Sequence, residues 1–370
     1  MTQNHNPFHL KYRPQNFTNI IGQNSATNYL QLAIAAKKIT FAYLFVGQHG
    51  SGKTTLARVM AKAINCTSSK NTPCNVCENC VNIHLGRSFD FYEIDAAKNT
   101  GIENIREIIE KVQYSPIMSK YKVCIIDEAH MLSINAFNSL LKTLESPPIN
   151  TVFILSTTAV NKIPNTIISR CQKLYFQPIR DHDLIIGITK VVYNEKLRIT
   201  NKGIENLIKI TKGSFRDALN IVELFSVGEK KITAKSLSDK YLIIPIAITN
   251  LLIEKVLSLN ILEVLTIIDY IQFNNWNEED VIDSTYNQLV TRYINNKKMN
   301  STNKSLFVNT KRLVDLLECL GESKFRNKKD FWLHITLFII KSRNKYIYIA
   351  CNKKRQKIQL HIQKNRIYSN

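Results

Sequence analysis

The sequence predicts an α/β domain on a five-stranded parallel sheet, continued by all-helical regions, and three observations carry this. Apolar strand-like runs at Tyr43 to Val46, Phe89 to Ala96, Lys122 to Glu128, Thr151 to Thr158 and Lys173 to Gln177 are separated by stretches of helical periodicity. That alternation is the pattern of a parallel sheet with helices packed on it. From Ile179 onward the strands cease and helical periodicity continues, punctuated by Gly203, Gly213 and Gly228.

The first strand runs into AYLFVGQHGSGKTTLA, Ala42 to Ala57, which matches G-x-x-x-x-G-K-[ST] at Gly47, Gly52, Lys53 and Thr54. Glycines let a loop turn its N–H groups onto phosphate oxygens, so Gly47, Gln48, His49, Gly50, Ser51, Gly52, Lys53, Thr54 and Thr55 form the predicted nucleotide-binding stretch. Lys53 reaches toward β and γ phosphates, the Thr54 hydroxyl suits Mg²⁺, and the helix from Thr55 to Ile64 points its positive end at the same anion.

A chain of 370 residues is long enough for two or three domains, on a prior of roughly 150 residues each. Lys and Arg number 50 against 29 Asp and Glu, a net charge of +21, which favours a polyanionic partner such as nucleic acid. The chain is also rich in Ile, Asn and Lys, as AT-rich coding produces, so the basic excess carries both readings. MTQNHNPFHLKYRP lacks the apolar core of a signal peptide, and Tyr241 to Ile253, interrupted by Pro245 and Asn250, is too short to span a bilayer. The expectation is a cytoplasmic protein without a membrane segment.

Eight cysteines divide into four scattered ones and the group Cys66, Cys74, Cys77 and Cys80. C-x7-C-x2-C-x2-C in a polar segment supplies four thiolates, enough to close a tetrahedral structural zinc site with no open position. Upstream, PFHLKYRPQNFTNIIGQ leads into a helix from Ser25 to Lys38; there Tyr12, Arg13 and Pro14 fit either a wall for a planar ligand or plain packing.

Downstream, KVCIIDE ends an apolar strand in two acids: Asp127 suits positioning of Mg²⁺ and Glu128 suits accepting a proton from attacking water. A helix from Asn135 to Leu144 is closed by Pro147 and Pro148. Since ligands bind at the carboxyl ends of parallel strands, Gly47, Glu128 and Thr157 are expected at one crevice, where Thr157 or Thr158 orients water or senses the γ phosphate. Arg170, before the fifth strand, is not assignable from spacing. In GSFRDAL, Ser214 is the predicted N-cap with Asp217 three residues on, and Arg216 in that first turn opposes the helix dipole, which points to an anionic partner. Lys230 and Lys231 read as a linker to a helical region from about Pro245, and the acid-free stretch from Lys341 to Asn370, with Tyr346 and Tyr348 interleaved, fits nucleic-acid contact, a solvated helix or a tail.

Taken together, KYRPQNFTNIIGQ (11 to 23), GQHGSGKTT (47 to 55), the four-cysteine insert, IDEAHMLS (126 to 133), AFNSLLKTLESPP (136 to 148), ISRC (168 to 171) and GSFRDAL (213 to 219) resemble the gamma/tau family of bacterial clamp-loader ATPases within AAA+. The resemblance covers residues 8 to about 225 in family order. It implies an AAA+ P-loop domain over 1–178 with the zinc-binding insert at 66–80, a small helical lid domain over 179–243 and an all-α collar domain for oligomerisation over 244–370 with a basic tail. It further implies Arg170 as an arginine finger offered to a neighbouring subunit, Arg216 as the second sensor and Thr157 as the first.

The implied cofactors are ATP, Mg²⁺ and Zn²⁺. The implied partners are other clamp-loader subunits in a ring-like hetero-oligomer, the sliding clamp and primer-template DNA, in an ATPase cycle that opens the clamp and loads it on primed DNA. The resemblance extends this list to the DNA polymerase III core, whose binding segments follow the collar in the longer family form, whereas this sequence resembles the short form. Three rivals stand beside this reading. A related motor such as a branch-migration ATPase is opposed by the cysteine insert, and a non-hydrolysing structural subunit by intact Lys53, Thr54, Asp127 and Glu128. A zinc-dependent nucleic-acid module is opposed by the lack of an aromatic or basic cluster within the cysteine loop.

Overall fold

A computed structural model describes residues 6–68, 72–98, 102–227, 231–241, 244, 246–274, 276–298, 314–316, 318 and 335. Met1–Ala234 and Lys235–Asn370 form two compact units, so the division expected at 178 falls inside the first. In the first unit the order is α1 (Phe8–Lys11), α2 (Asn24–Ala35), β1 (Ala42–Gly47), α3 (Lys53–Ile64), α4 (Glu78–Leu85), β2 (Phe91–Asp95), α5 (Ile102–Gln113), β3 (Lys122–Asp127), α6 (Ile134–Glu145), β4 (Thr151–Thr157), α7 (Asn165–Ile168) and β5 (Gln172–Phe176). It continues through α8 (Asp181–Asn194), β6 (Arg198–Ile199), α9 (Asn201–Thr211), α10 (Phe215–Ser226) and β7 (Lys231–Ile232).

Strands β1 to β5 form one parallel sheet in the order β2-β3-β4-β1-β5. The strands read as continuous apolar runs because both faces are covered. Side chains alternate across the sheet, so Tyr43 and Phe45 pack with Leu56, Met60, Ile125 and Ile154 on the face of α3. Leu44 packs with Ile126, Phe153 and Leu155 on the opposite face, against Ile105 of α5 and Phe137 and Leu140 of α6. All of these are at most 2 % exposed. β1 sits inside the sheet, with Leu44 opposite Leu155 of β4 and Lys173 of β5, so the loop that follows it leaves from a strand held on both sides.

Two expectations change. Strands do not cease after Ile179: β6 and β7 pair in parallel, Arg198 opposite Lys231, and the Thr200 N–H donates to the Ile232 carbonyl at 3.0 Å. Lys231, expected in a linker, is therefore in a strand. A two-residue strand is too short to carry a period of two, which is why the pattern did not show it. Lys230, Gly228 and the basic stretch from Lys341 to Asn370 lie outside the described residues.

The second unit contains most of α11 (Ala234–Tyr241), then α12 (Ile246–Leu257), α13 (Ile261–Phe273) and α14 (Glu278–Lys298). Leu252, Val264, Ile268, Val281 and Leu289 make its core. Asn260 caps α13, its Oδ1 accepting from the Glu263 N–H at 3.5 Å while its Nδ2 donates to Glu263 Oε1 at 2.6 Å. Among the described residues no helix is long and apolar enough to cross a membrane.

Candidate functional site: a glycine loop at the strand ends and a four-cysteine cluster

The loop between β1 and α3 takes its shape from glycine. Gly52, at φ 96, lies just ahead of α3, and Gly50, at φ 71, approaches α10 so closely that an added Cβ would stand 2.0 Å from Ser214 Oγ. Ser214 caps α10 by accepting from the Asp217 N–H at 3.3 Å, as the spacing predicted. Gln48 Nε2 donates to the Lys212 carbonyl at 3.0 Å, so its amide ties the loop to the segment before α10. The loop is thereby clasped between the sheet and the start of α10.

Lys53 is 5 % exposed, and its ammonium donates to the Gly47 and Gln48 carbonyls at 2.9 Å each. Burial lowers its proton affinity, while the nearby Glu128 and Asp127 raise it. Thr54 Oγ1 donates to Asp127 Oδ2 at 2.6 Å, so the hydroxyl at the start of α3 and the acid at the end of β3 meet at one point. A hydroxyl beside a carboxylate at a strand end suits a hard divalent cation such as Mg²⁺. Asp127 Oδ1 also accepts from the Glu128 N–H at 3.1 Å. Glu128 is held at φ 49, a left-handed conformation uncommon for this residue type, which turns it out of the strand direction.

Lys53, Thr54, Asp127, Glu128 and Arg216 line a single cavity with His49 through Gly52 and Thr55. Tyr12, Arg13, Pro14, Ile21, Ile179 and Phe215 line it as well. A lining that combines cationic and hydroxyl groups with apolar side chains suits a molecule that carries both phosphates and a planar base. Tyr12 and Arg13 line the cavity, and Tyr12 also anchors its segment through a hydrogen bond from its hydroxyl to Glu195. Burial, then that bond, push the Tyr12 hydroxyl up to about 12. Burial followed by the neighbouring Arg58 lowers the proton affinity of Arg13.

Thr157 is fully buried at the end of β4, its Oγ1 accepting from the Ala159 N–H at 3.0 Å and lying 3.2 Å from His130 Nδ1. The same ring nitrogen is 3.4 Å from Glu128 Oε2, and Thr158 Oγ1 donates to that carboxylate at 3.3 Å. His130 thus stands between Glu128 and Thr157, and the sequence reading passed over it. Its position two residues after Glu128, in a short turn following β3, was the available signal. Arg170 lies apart from this cavity: its guanidinium donates to Glu145 Oε1 at 2.6 Å and to the Thr166 carbonyl at 2.7 Å, on a partly exposed surface.

The thiols of Cys66, Cys74, Cys77 and Cys80 all lie within 4.8 Å of one another. A tetrahedral zinc with Zn–S of about 2.3 Å sets its sulfurs about 3.8 Å apart, so the four fit a closed site. Backbone N–H groups of Cys74 and Cys77 point at Cys66 Sγ and Cys74 Sγ, 3.4 and 3.3 Å away, which suits sulfurs carrying negative charge. Cys124 and Cys171 belong to the core instead, and burial pushes their thiols up to about 12 and about 11.

A family model described as "DNA polymerase III, delta subunit" matches residues 22–180. The chain is 46 % identical over 213 residues to DNA polymerase III subunit tau of Bacillus subtilis, which is 57 % of this chain and 38 % of that one. It is 38 % identical over 230 residues to subunit tau of Escherichia coli, 62 % of this chain and 36 % of that one. Thus it spans well under two thirds of these relatives' length. Subunit gamma of Buchnera aphidicola subsp. Acyrthosiphon pisum matches at 39 % over 249 residues, 67 % of this chain and 69 % of that one. Among solved structures, the Thermotoga maritima RuvB Holliday junction branch migration motor superposes with a TM-score of 0.46 at 18 % identity, over 67 % of this chain and 80 % of that one, a likeness too loose to bear on function. With the Buchnera aphidicola subunit gamma 39 % identical and matched over 69 % of its length, the chain belongs to the gamma/tau family of DNA polymerase III subunits.

Proposed function

We propose that the chain is an ATP-hydrolysing subunit of a clamp loader, working within a DNA polymerase III assembly in the cytoplasm. The observation that carries this is the convergence of Lys53, Thr54, Asp127, Glu128 and Arg216 on one cavity at the end of β1 and β3. ATP would place its phosphates against the loop amides and the Lys53 ammonium and its base against Tyr12, Pro14, Ile179 and Phe215. Thr54 and Asp127 would hold Mg²⁺, which would supply positive charge against the charge developing on the phosphates. Glu128 takes the proton of the attacking water, its carboxylate held by Thr158 and faced by His130, which Thr157 meets at the same ring nitrogen, and Arg216 touches the γ phosphate from the first turn of α10.

Arg170, away from its own cavity, is offered in this reading to the ATP of a neighbouring subunit, so that hydrolysis requires assembly. The segment 179–243 acts as the lid that carries Arg216, and 244–370 as the collar that gathers subunits into a ring. ATP binding then opens the sliding clamp and grips primer-template DNA through phosphate contacts, which the net charge of +21 favours and salt weakens. The four cysteines hold a structural zinc; with all four positions protein-filled, it fixes the insert and takes no part in hydrolysis. The test is ATPase activity with partner subunits, clamp and primed DNA, each omitted in turn. Stimulation that needs all three supports the reading, and a rate indifferent to every omission overturns it.

A further inference from the structure

We propose that the four-cysteine cluster braces the wall of the nucleotide cavity, and that Lys62 is the positioning residue that links the two. This rests on reading the loop as a nucleotide site and the cysteines as a zinc site.

Lys62 lies in the last turn of α3, the helix whose first residue is Lys53, and is 2 % exposed. Its ammonium spends all three hydrogens on neutral acceptors: the Gln15 carbonyl at 3.0 Å, Gln15 Oε1 at 2.7 Å and Asn75 Oδ1 at 2.6 Å. Among the described residues no carboxylate lies within ion-pair distance of it. A buried cation without a counter-charge is costly. The anion available here is the cysteine cluster. Cys80 Sγ lies 3.9 Å from the backbone carbonyl of Lys62, while the ammonium reaches the cluster through Asn75, which sits between Cys74 and Cys77. Four thiolates around one divalent zinc leave a net negative charge beside Lys62.

The other end of the link is the cavity wall. Gln15 Nε2 donates to the Arg13 carbonyl at 3.0 Å, and Asn75 Nδ2 donates to Asn16 Oδ1. The segment 13–16 lies between anchors at Tyr12, bonded to Glu195, and at Phe17, buried in the core. Among the described residues, every polar bond from 13–16 to a part of the fold beyond residues 6–19 goes to Lys62 or Asn75. Arg13 and Pro14 line the nucleotide cavity. Ordering the cysteine loop therefore fixes Asn75, Asn75 and Lys62 fix Gln15 and Asn16, and these fix the wall. Linkage makes the effect reciprocal, so bound nucleotide tightens zinc by the factor by which zinc tightens nucleotide.

The experiment measures the affinity of a fluorescent, non-hydrolysable ATP analogue for the zinc-loaded and the zinc-stripped chain, and zinc affinity by competition with a chelating indicator with and without that analogue. Stripping is expected to weaken the analogue by about 5-fold or more, the lower range of allosteric coupling, with an equal reciprocal shift in zinc affinity. Lys62→Met should remove the coupling in both directions. Asn75→Gly cuts the same link at a surface loop whose φ of 61 glycine accepts, so the zinc-loaded variant should bind the analogue as weakly as the stripped wild type. Equal affinities with and without zinc overturn the proposal, as does wild-type coupling in both variants. Failure of the loaded wild type to bind the analogue would instead bring down the nucleotide reading, and failure to take up zinc the metal reading, and the proposal falls with either.

Discussion

The Nδ1 of His130 stands 3.2 Å from the hydroxyl of Thr157, and it is the same nitrogen that faces Glu128 Oε2 at 3.4 Å. One ring nitrogen carries at most one hydrogen: with it, Nδ1 donates toward Glu128 or Thr157, and without it, Nδ1 accepts from the Thr157 hydroxyl. Whichever partner it takes sets the direction of the Glu128 carboxylate. His130→Phe, similar in shape but without ring nitrogens, should leave nucleotide affinity unchanged and lower hydrolysis by about 10-fold or more, within the roughly 10²- to 10⁴-fold that a positioned general base contributes. Single-turnover hydrolysis at saturating ATP reads this directly; an unchanged rate would separate His130 from the chemistry.

Lys53 is the second test. Its buried ammonium faces the loop cavity, and Lys53→Ala should abolish ATP binding while leaving the thermal midpoint near that of the wild type, since a buried cation costs desolvation to keep. Equilibrium titration with labelled ATP measures it, and retained hydrolysis would remove the loop from the site.

Arg170 should behave differently. Arg170→Ala breaks its pair with Glu145 on a partly exposed surface, which costs little stability, and should leave ATP binding by the isolated chain intact. In the assembled complex hydrolysis should fall by about 10³- to 10⁵-fold, the range for an arginine supplied in trans. A normal assembled rate would refute that assignment.

Metal analysis of the purified chain should find about one zinc, because four ligands close one site. Cys77→Ser should lower that content and speed loss of the remaining metal to a chelator. Zinc-free protein with wild-type stability would give the four thiols another purpose.

Asp90 provides a pH test remote from the cavity. Burial alone would push its carboxyl up, but the N–H groups of Ile117, Met118 and Ser119, each at 2.8 Å, together with Lys122, hold it below the usual carboxylate range. A carboxyl so depressed stabilises the fold above its unfolded pKa, and that contribution is lost as pH falls through the folded value. Asp90→Asn leaves at least one of those donors without an acceptor and should destabilise the chain by about 1–3 kcal/mol near neutrality. The difference should begin to narrow below about pH 4, near the unfolded carboxyl value, and close only below the lower folded value, as denaturant melts across that range would record.

The first half of the site was legible because its chemistry is written in consecutive residues. Gly47 to Thr55 and Asp127-Glu128 each follow an apolar strand, and strand ends in a parallel sheet converge. What escaped was contact between residues distant in sequence. Lys62 bonds Gln15, 47 positions away, and Gln48 bonds the carbonyl of Lys212, 164 positions away, and no periodicity encodes either. The strand order β2-β3-β4-β1-β5 was equally silent, since five similar apolar runs do not say which neighbour each will take. His130 was hidden for a simpler reason: a histidine after two acids reads as one more polar turn residue until Thr157 is seen beside it.

The interior place of β1 has a consequence for the timescales of the molecule. Its backbone is bonded to β4 on one side and β5 on the other, and Tyr43, Leu44 and Phe45 have no exposure, so their amides should be among the last to exchange with deuterated solvent. A few residues further on the chain enters a glycine loop. Clasped there against α10 by Gln48 and Ser214, the loop inherits its address from the part of the molecule that opens least.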